Sequence, residues 1–286
     1  MTWTTLVDAE TLMNALRSPT SSSRPLAVVD ARVDLADRSA GARRFAEGHV
    51  PGAARVDLET DLSGPHYPGA GRHPWPSDDA FAAVLGRLGI TPDHQVVVYD
   101  DAQGALAAAR LWFMLRLWGH EAAAVLDGGW SAWQAAGGAV ETGESRVADA
   151  GPYAGVFDDT RLLQTDDVVA LRPEDGVVVD ARAAERYRGD VEPLDRKAGH
   201  VPGALNRPFA SNLDGGRFKS PSRLRAEFDA LLDGRPAASL VASCGSGVTA
   251  CHHLLALEHA GLRGARLYTG SWSGWIEDDA RPIATG

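Results

Sequence analysis

The sequence predicts an α/β fold built as two tandem domains, each a parallel sheet flanked by helices on both faces. Three observations predict it. One set of landmarks occurs twice at a domain-sized interval. Short apolar runs alternate with helical patterns inside each copy. The 286 residues are enough for two cores of about 140 residues each.

The duplication is read first. "LAVVDARVDLADRSAGARRFAEGHVPGAARVDLETDL" begins at Leu26, and "GVVVDARAAERYRGDVEPLDRKAGHVPGALNRPFASNL" begins at Gly176. Asp30 answers Asp180, and the string from Gly48 to Ala53 answers the string from Gly199 to Ala204. Later, "LDGGWSAW" (Leu126 to Trp133) answers "YTGSWSGW" (Tyr268 to Trp275). A spacing near 145 residues is too long for a solenoid repeat, so these are two copies of one domain. The polar stretch from Glu141 to Gly155 reads as a linker. It divides an N-terminal domain, residues 1–140, from a C-terminal domain, residues 156–286.

Each element has its own signal. In copy one, "LAVVDA" is a short buried strand. "SDDAFAAVLGRLGI" is a helix with an aspartate as cap, and "HQVVVYDD" is a second strand. "GALAAARLWFMLRLWG" is a mostly apolar helix closed by Gly119, and "AAAVLDGG" is a third strand. Copy two repeats the order with "GVVVDA", "PSRLRAEFDALLDG", "ASLVASC", "GVTACHHLLALEHAG" and "ARLYTG". Strands alternating with helices imply parallel pairing, and such sheets bind ligands at the carboxyl ends of their strands.

Composition narrows the function. The net charge is −10 and no basic run is present, which argues against nucleic acid as a partner. The opening "MTWTTLVDAE" lacks the apolar core of a signal peptide, and every long apolar run is broken by Arg, Gly or His, which argues against a membrane. Two cysteines suit a reducing cytoplasm.

Both cysteines lie in "SLVASCGSGVTACHHLLALEHAGL". Cys244 falls where a strand ends and a helix begins, on a loop with almost no side chains. Gly245 and Gly247 free the backbone, and the first N–H groups of a helix starting near Val248 face the same point. That cradle favours thiolate over thiol and suits a nucleophile or a charged persulfide. A buried structural cysteine is the ordinary alternative, and the Gly-Ser-Gly context weighs against it. Cys251 lacks that context and reads as core; about two helical turns, roughly 10 Å, separate it from Cys244. A cysteine phosphatase needs an arginine after five loop residues, and Ala250 stands there. A zinc site from Cys244, Cys251, His252 and His253 has no familiar spacing, and adjacent helical histidines point apart. In copy one, Asp100 occupies the position answering Cys244, so that copy is expected to be inert.

With these residues in view, the chain resembles the two-domain rhodanese-type sulfurtransferases over nearly its whole length. The paired "GHVPGA" and "GSWSGW"-type segments and the signature "CGSGVTA" carry the resemblance. Cys-Gly-Ser-Gly is most similar to the 3-mercaptopyruvate sulfurtransferase group, whereas thiosulfate-using relatives tend to carry basic residues there. An uncharged loop fits a monoanionic keto acid better than a dianion. The resemblance implies transfer of sulfane sulfur through a Cys244 persulfide to a thiol, a thioredoxin-like protein or cyanide, with no metal or organic cofactor. It also implies donor-binding arginines, Arg186 and Arg196, with Lys197 competing for the second place. The loop residues Gly245, Gly247, Val248 and Thr249 complete the donor site. A serine–histidine–acid relay is implied in Ser246, His73 and Glu59, with His66, Asp57 and Asp61 as alternatives. Because they recur in both copies, Asp30, Asp180 and the tryptophans 130, 133, 272 and 275 read as structural. A thiosulfate sulfurtransferase and a non-enzymatic persulfide carrier are the competing readings.

Overall fold

The computed structural model describes residues 2–18, 24–145 and 147–286; Arg146 of the expected linker lies outside them. The chain forms two compact units: Met1–Gly64 with Pro76–Phe157, and Pro65–Trp75 with Asp158–Gly286. His73 therefore belongs to the second unit, although it lies within the first copy of the repeat.

The first unit holds strands β1 (Leu6–Val7), β2 (Leu26–Asp30), β3 (Ala54–Arg55), β4 (Gln95–Tyr99) and β5 (Ala123–Leu126). All pair in parallel, in the order β1-β5-β4-β2-β3. The second unit holds β6 (Leu162–Leu163), β7 (Val177–Asp180) and β8 (Leu205–Asn206), then the hairpin β9 (Leu213–Asp214) and β10 (Arg217–Phe218), then β11 (Leu240–Ser243) and β12 (Arg266–Tyr268). Its parallel sheet has the order β6-β12-β11-β7-β8, the same arrangement reached a second time. The central strands are buried along their whole length, which explains why β4 and β11 read as continuous apolar runs rather than alternating ones.

Helices flank both sheets. Ala107–Leu117 is apolar on nearly every side because ten of its eleven residues are buried. The helix Asp78–Arg87 is capped by Ser77, not by an aspartate: the Ser77 side chain accepts from the Ala80 N–H. Asp78 and Asp79 instead fall in the first turn, where their charges complement the helix dipole. Among the described residues no helix is long and apolar enough to cross a membrane.

The landmarks repeated in sequence repeat in geometry. Arg32 binds Asp30 at 2.6 Å and the Gly48 carbonyl at 2.6 Å; Arg182 binds Asp180 at 2.6 Å and the Gly199 carbonyl at 2.7 Å. All four side chains are buried, so each guanidinium closes one strand end onto the following "GHVPGA" segment. The Arg32 guanidinium sits 4.6 Å from the ring of Trp130, and that of Arg182 sits 5.1 Å from the ring of Trp272.

Candidate active site

Register places the site. Strand β11 pairs with β7 so that Ser243 lies opposite Asp180, and the Ala181 N–H donates to the Ser243 carbonyl at 2.8 Å. Cys244 follows at once, at the carboxyl end of the central strand, where open α/β sheets place their ligands. The next five residues form the loop, and the helix begins at Ala250, two residues later than the sequence suggests. Gly247, at φ +74°, causes the difference. A Cβ there would stand 2.5 Å from the Thr269 carbonyl oxygen, so only glycine lets the loop pass.

The backbone of the cysteine is pinned from one side by the helix Ser271–Trp275. The Cys244 N–H donates to Ser271 Oγ at 3.1 Å. The Trp272 N–H donates to the Cys244 carbonyl at 3.0 Å, and the Ser273 N–H to the Gly245 carbonyl at 2.9 Å. Ser271 holds a left-handed φ of +50° to do so. The thiol is buried, and the Ser246 N–H approaches its sulfur at 3.5 Å. Ser246 Oγ meets His73 Nδ1 at 2.7 Å, with both residues buried. Ser246 thus joins the sulfur to the imidazole through its own main chain and side chain. Val248 is buried, and Thr249 is the half-buried residue preceding the helix. Cys251 is buried in that helix with its thiol directed at the Gly247 carbonyl, 3.5 Å away.

Two guanidiniums stand at the loop. A methyl group built on Gly245 would lie 3.0 Å from Arg72 Nη2 and 3.8 Å from Arg186 Nη2. Arg186 is one of the two arginines named from the sequence, and the structure places it beside the loop; Arg72, the residue before His73, was not named. Arg196 and Lys197 are committed elsewhere. Arg196 binds Asp279 at 2.7 Å and the Ile276 carbonyl, and Lys197 binds Asp279 at 2.8 Å. The chain between Gly189 and Lys197 turns a different residue inward: Asp195, whose carboxylate pairs with Arg72 through Oδ1 and lies 3.4 Å from Arg186 Nη2 through Oδ2. Burial pulls the Arg72 guanidinium below its ordinary range, and the adjacent Cys244 sulfur acts in the opposite sense. Gly245 and Ser246 themselves carry no charge, and the cations beside the loop come from other segments.

Among the acids considered for the relay, Glu59 lies in the first unit with its carboxylate 3.7 Å from Arg38. Asp57 binds Arg55 at 2.5 Å and accepts from the Glu59 N–H, and Asp61 binds Arg87 at 2.8 Å. His66, the alternative to His73, meets Glu277 at 3.0 Å.

The two adjacent histidines do not point apart as expected. Asn212 Nδ2 reaches His252 Nδ1 at 3.0 Å and His253 Nδ1 at 2.9 Å, since one amide NH2 has two hydrogens to give. His253 Nε2 donates to the Arg207 carbonyl at 2.7 Å. Burial, then the Arg207 charge, lower the His253 pKa to about 3. Among the described residues no group of three or more His, Cys, Asp or Glu is arranged to hold a metal.

In the first unit Asp100 follows β4 as Cys244 follows β11, and the Trp130 N–H donates to its carbonyl at 2.8 Å. Its fully buried carboxylate accepts N–H bonds from Gly104 at 2.7 Å, Ala102 at 2.9 Å and Leu106 at 3.1 Å, with Ala108 at 3.4 Å. Desolvation raises its pKa, and these N–H groups work against the rise.

The rhodanese-like domain model matches residues 8–136 and 164–278. A Pseudomonas aeruginosa protein described as a probable 3-mercaptopyruvate sulfurtransferase is 47% identical over 279 residues, covering 96% of this chain and 98% of its own. The thiosulfate sulfurtransferase of Cricetulus griseus is 37% identical over 287 residues, covering 95% and 91%. The crystal structure of the Escherichia coli enzyme of the 3-mercaptopyruvate group superposes with a TM-score of 0.79 at 32% identity, covering 95% of this chain and all of that one.

Proposed function

We propose, for a chain that belongs to the two-domain rhodanese-like sulfurtransferases, that it moves sulfur from 3-mercaptopyruvate through a persulfide on Cys244. The observation that carries the reading is the loop itself. A buried thiol at a strand end receives an N–H from Ser246, and Arg72 and Arg186 stand beside it.

Thiolate Cys244 attacks the sulfur of the donor. The S–S bond forms as the carbon–sulfur bond breaks, and the electron pair leaves with carbon as the enolate of pyruvate. The donor's thiol proton ends on that carbon, which gives pyruvate and leaves an anionic persulfide. The Ser246–His73 pair, 2.7 Å apart, suits the relay of this proton, with Glu59, Asp57 or Asp61 as the acid implied by resemblance. Arg72 and Arg186 bind the donor's carboxylate and ketone; Arg72 takes the place expected of Arg196. Gly245, Gly247, Val248 and Thr249 shape the loop around the transferred sulfur. A thiol, a thioredoxin-like protein or cyanide then removes the sulfur, and the cycle needs no metal or organic cofactor.

In this reading residues 156–286 with the Pro65–Trp75 segment are catalytic and the first domain is inert, because Asp100 cannot accept sulfur. A cytoplasmic setting fits two free thiols, and the acidic chain fits partners other than nucleic acid or membrane.

The test is mass spectrometry after donor treatment: one extra sulfur on the Cys244 peptide, none on that of Cys251, and no turnover in Cys244→Ser. Sulfur on Cys251 would overturn the assignment. Thiosulfate is the second reading, favoured by the cation that Arg72 brings to the loop. Comparing kcat/KM for the two donors decides between them, with mercaptopyruvate expected to be higher.

A further inference from the structure

Arg72 and Arg186 are already bridged by a carboxylate. Asp195 bonds Arg72 through one oxygen and approaches Arg186 through the other, and its side chain is only 4% exposed. Its Oδ2 would lie 3.9 Å from a methyl group on Gly245, so this charge stands at the mouth of the cysteine loop. Glu192 neutralises the remaining side of Arg186 at 2.6 Å and binds Arg182 at 3.2 Å, while Asp180 holds Arg182 at 2.6 Å. Three guanidiniums thus meet three carboxylates in one network that reaches the cysteine loop, and an incoming anion finds little uncompensated positive charge.

Asp195 is held there by its surroundings. The Leu194 and Asp195 N–H groups both donate to Glu192 Oε1, at 3.1 and 3.2 Å. Two residues on, the Lys197 carbonyl accepts from the Trp272 indole at 2.9 Å. The turn carrying Asp195 is therefore tied both to the acid of the ion network and to the helix that pins Cys244.

We propose that Asp195 determines donor specificity: its charge screens Arg72 and Arg186 so that the pocket accepts a singly charged donor and disfavours a doubly charged one. The proposal rests on the sulfurtransferase reading above. A dianion feels the Asp195 repulsion twice where a monoanion feels it once. Within several ångströms in a partly buried site, one such unit of charge is worth roughly tenfold in relative binding.

The experiment compares Asp195→Asn with the charge-conserving Asp195→Glu. In Asp195→Asn the ratio of kcat/KM for thiosulfate over mercaptopyruvate should rise about tenfold. In Asp195→Glu it should stay near the parental value. A ratio within twofold of parent in Asp195→Asn, or equal shifts in both variants, would overturn the proposal, the second because it marks a positioning role without charge selectivity. A readout independent of turnover is protection of Cys244 from iodoacetamide by sulfate and by pyruvate. Parent protein should be protected by pyruvate at lower concentration than by sulfate, and Asp195→Asn should reverse the order or narrow it. Tighter protection by sulfate in the parent overturns the proposal even where the Asn variant fails to fold. Absence of transfer from either donor would instead sink the sulfurtransferase reading, while the protection order would still report on Asp195.

Discussion

Gly71→Ala should cripple the site from outside the cysteine loop. Gly71 holds φ +72°, and a Cβ there would stand 2.4 Å from the Gly270 carbonyl oxygen and 2.6 Å from Ser273 Oγ. The left-handed backbone alone costs a residue with a side chain about 1–2 kcal/mol. Relieving the overlap to an ordinary contact needs a further movement of about 1 Å. The segment has little freedom to absorb it, because the Gly69 and Gly71 N–H groups bind Glu277 at 2.6 and 3.1 Å and the Arg72 N–H binds Ser273 Oγ at 3.1 Å. The movement passes directly to Arg72 and His73. A displacement of that size at positioning groups costs on the order of a hundredfold in rate, so kcat/KM should fall ten- to a hundredfold. Gly203→Ala is the control: φ is +80° with nothing within 4 Å of the added carbon. It should show only the left-handed backbone cost in urea unfolding and keep parental kcat/KM. Equal activity in the two variants would refute the role of Gly71 in aiming Arg72 and His73.

Two further measurements follow from the same structure. His253 is neutral in the folded protein, with its pKa lowered to about 3, whereas in the unfolded chain it protonates near 6.5. The unfolded state therefore binds the extra proton as pH falls below 6.5, and stability should drop toward pH 3 by up to about 1.4 kcal/mol per unit. In His253→Leu the slope of unfolding free energy between pH 6 and 4 should be shallower by that amount; an unchanged slope would mean that His253 is not the titrating group. Ser246→Ala removes the 2.7 Å contact to His73 without touching the N–H directed at Cys244. It should lower kcat more than ten-fold while persulfide still forms on Cys244 in a single turnover, and parental kcat would exclude the relay.

The duplicated sheet was readable because its landmarks are local: an aspartate at a strand end, a Gly-His-Val-Pro-Gly-Ala turn, a tryptophan-rich helix. Edge strands of two residues, such as β1 and β6, carry too little pattern to be seen. The cysteine loop was readable for the same reason, since five consecutive residues define it. Arg72 was not, because a lone arginine in a Gly- and Pro-rich loop looks like any surface arginine. Its adjacency to His73 was the signal that could have found it. The exchange of Arg196 for Asp195 had no local signal at all, because it depends on which way the Gly189–Lys197 segment turns, set by Glu192 and the Trp272 indole. The histidine pair misled for a simpler reason: side-chain directions from helix geometry leave out what one shared amide can reach.

Asp100 gives the duplicated chain a thermodynamic asymmetry. In the first unit the turn at the strand end carries its own acceptor, the Asp100 carboxyl group, covalently attached and bonded to four backbone N–H groups. Such a turn is saturated at every ligand concentration and has no linkage to solutes around it. At the corresponding turn of the second unit the Cys244 sulfur receives an N–H from Ser246, and the carboxylate that stands at the loop, Asp195, comes from another segment. In the sulfurtransferase reading, a donor that binds beside Cys244 is a folding ligand for the second unit and a spectator to the first. On that reading, duplication leaves one module whose stability is fixed in its sequence and one whose stability would follow the concentration of its donor.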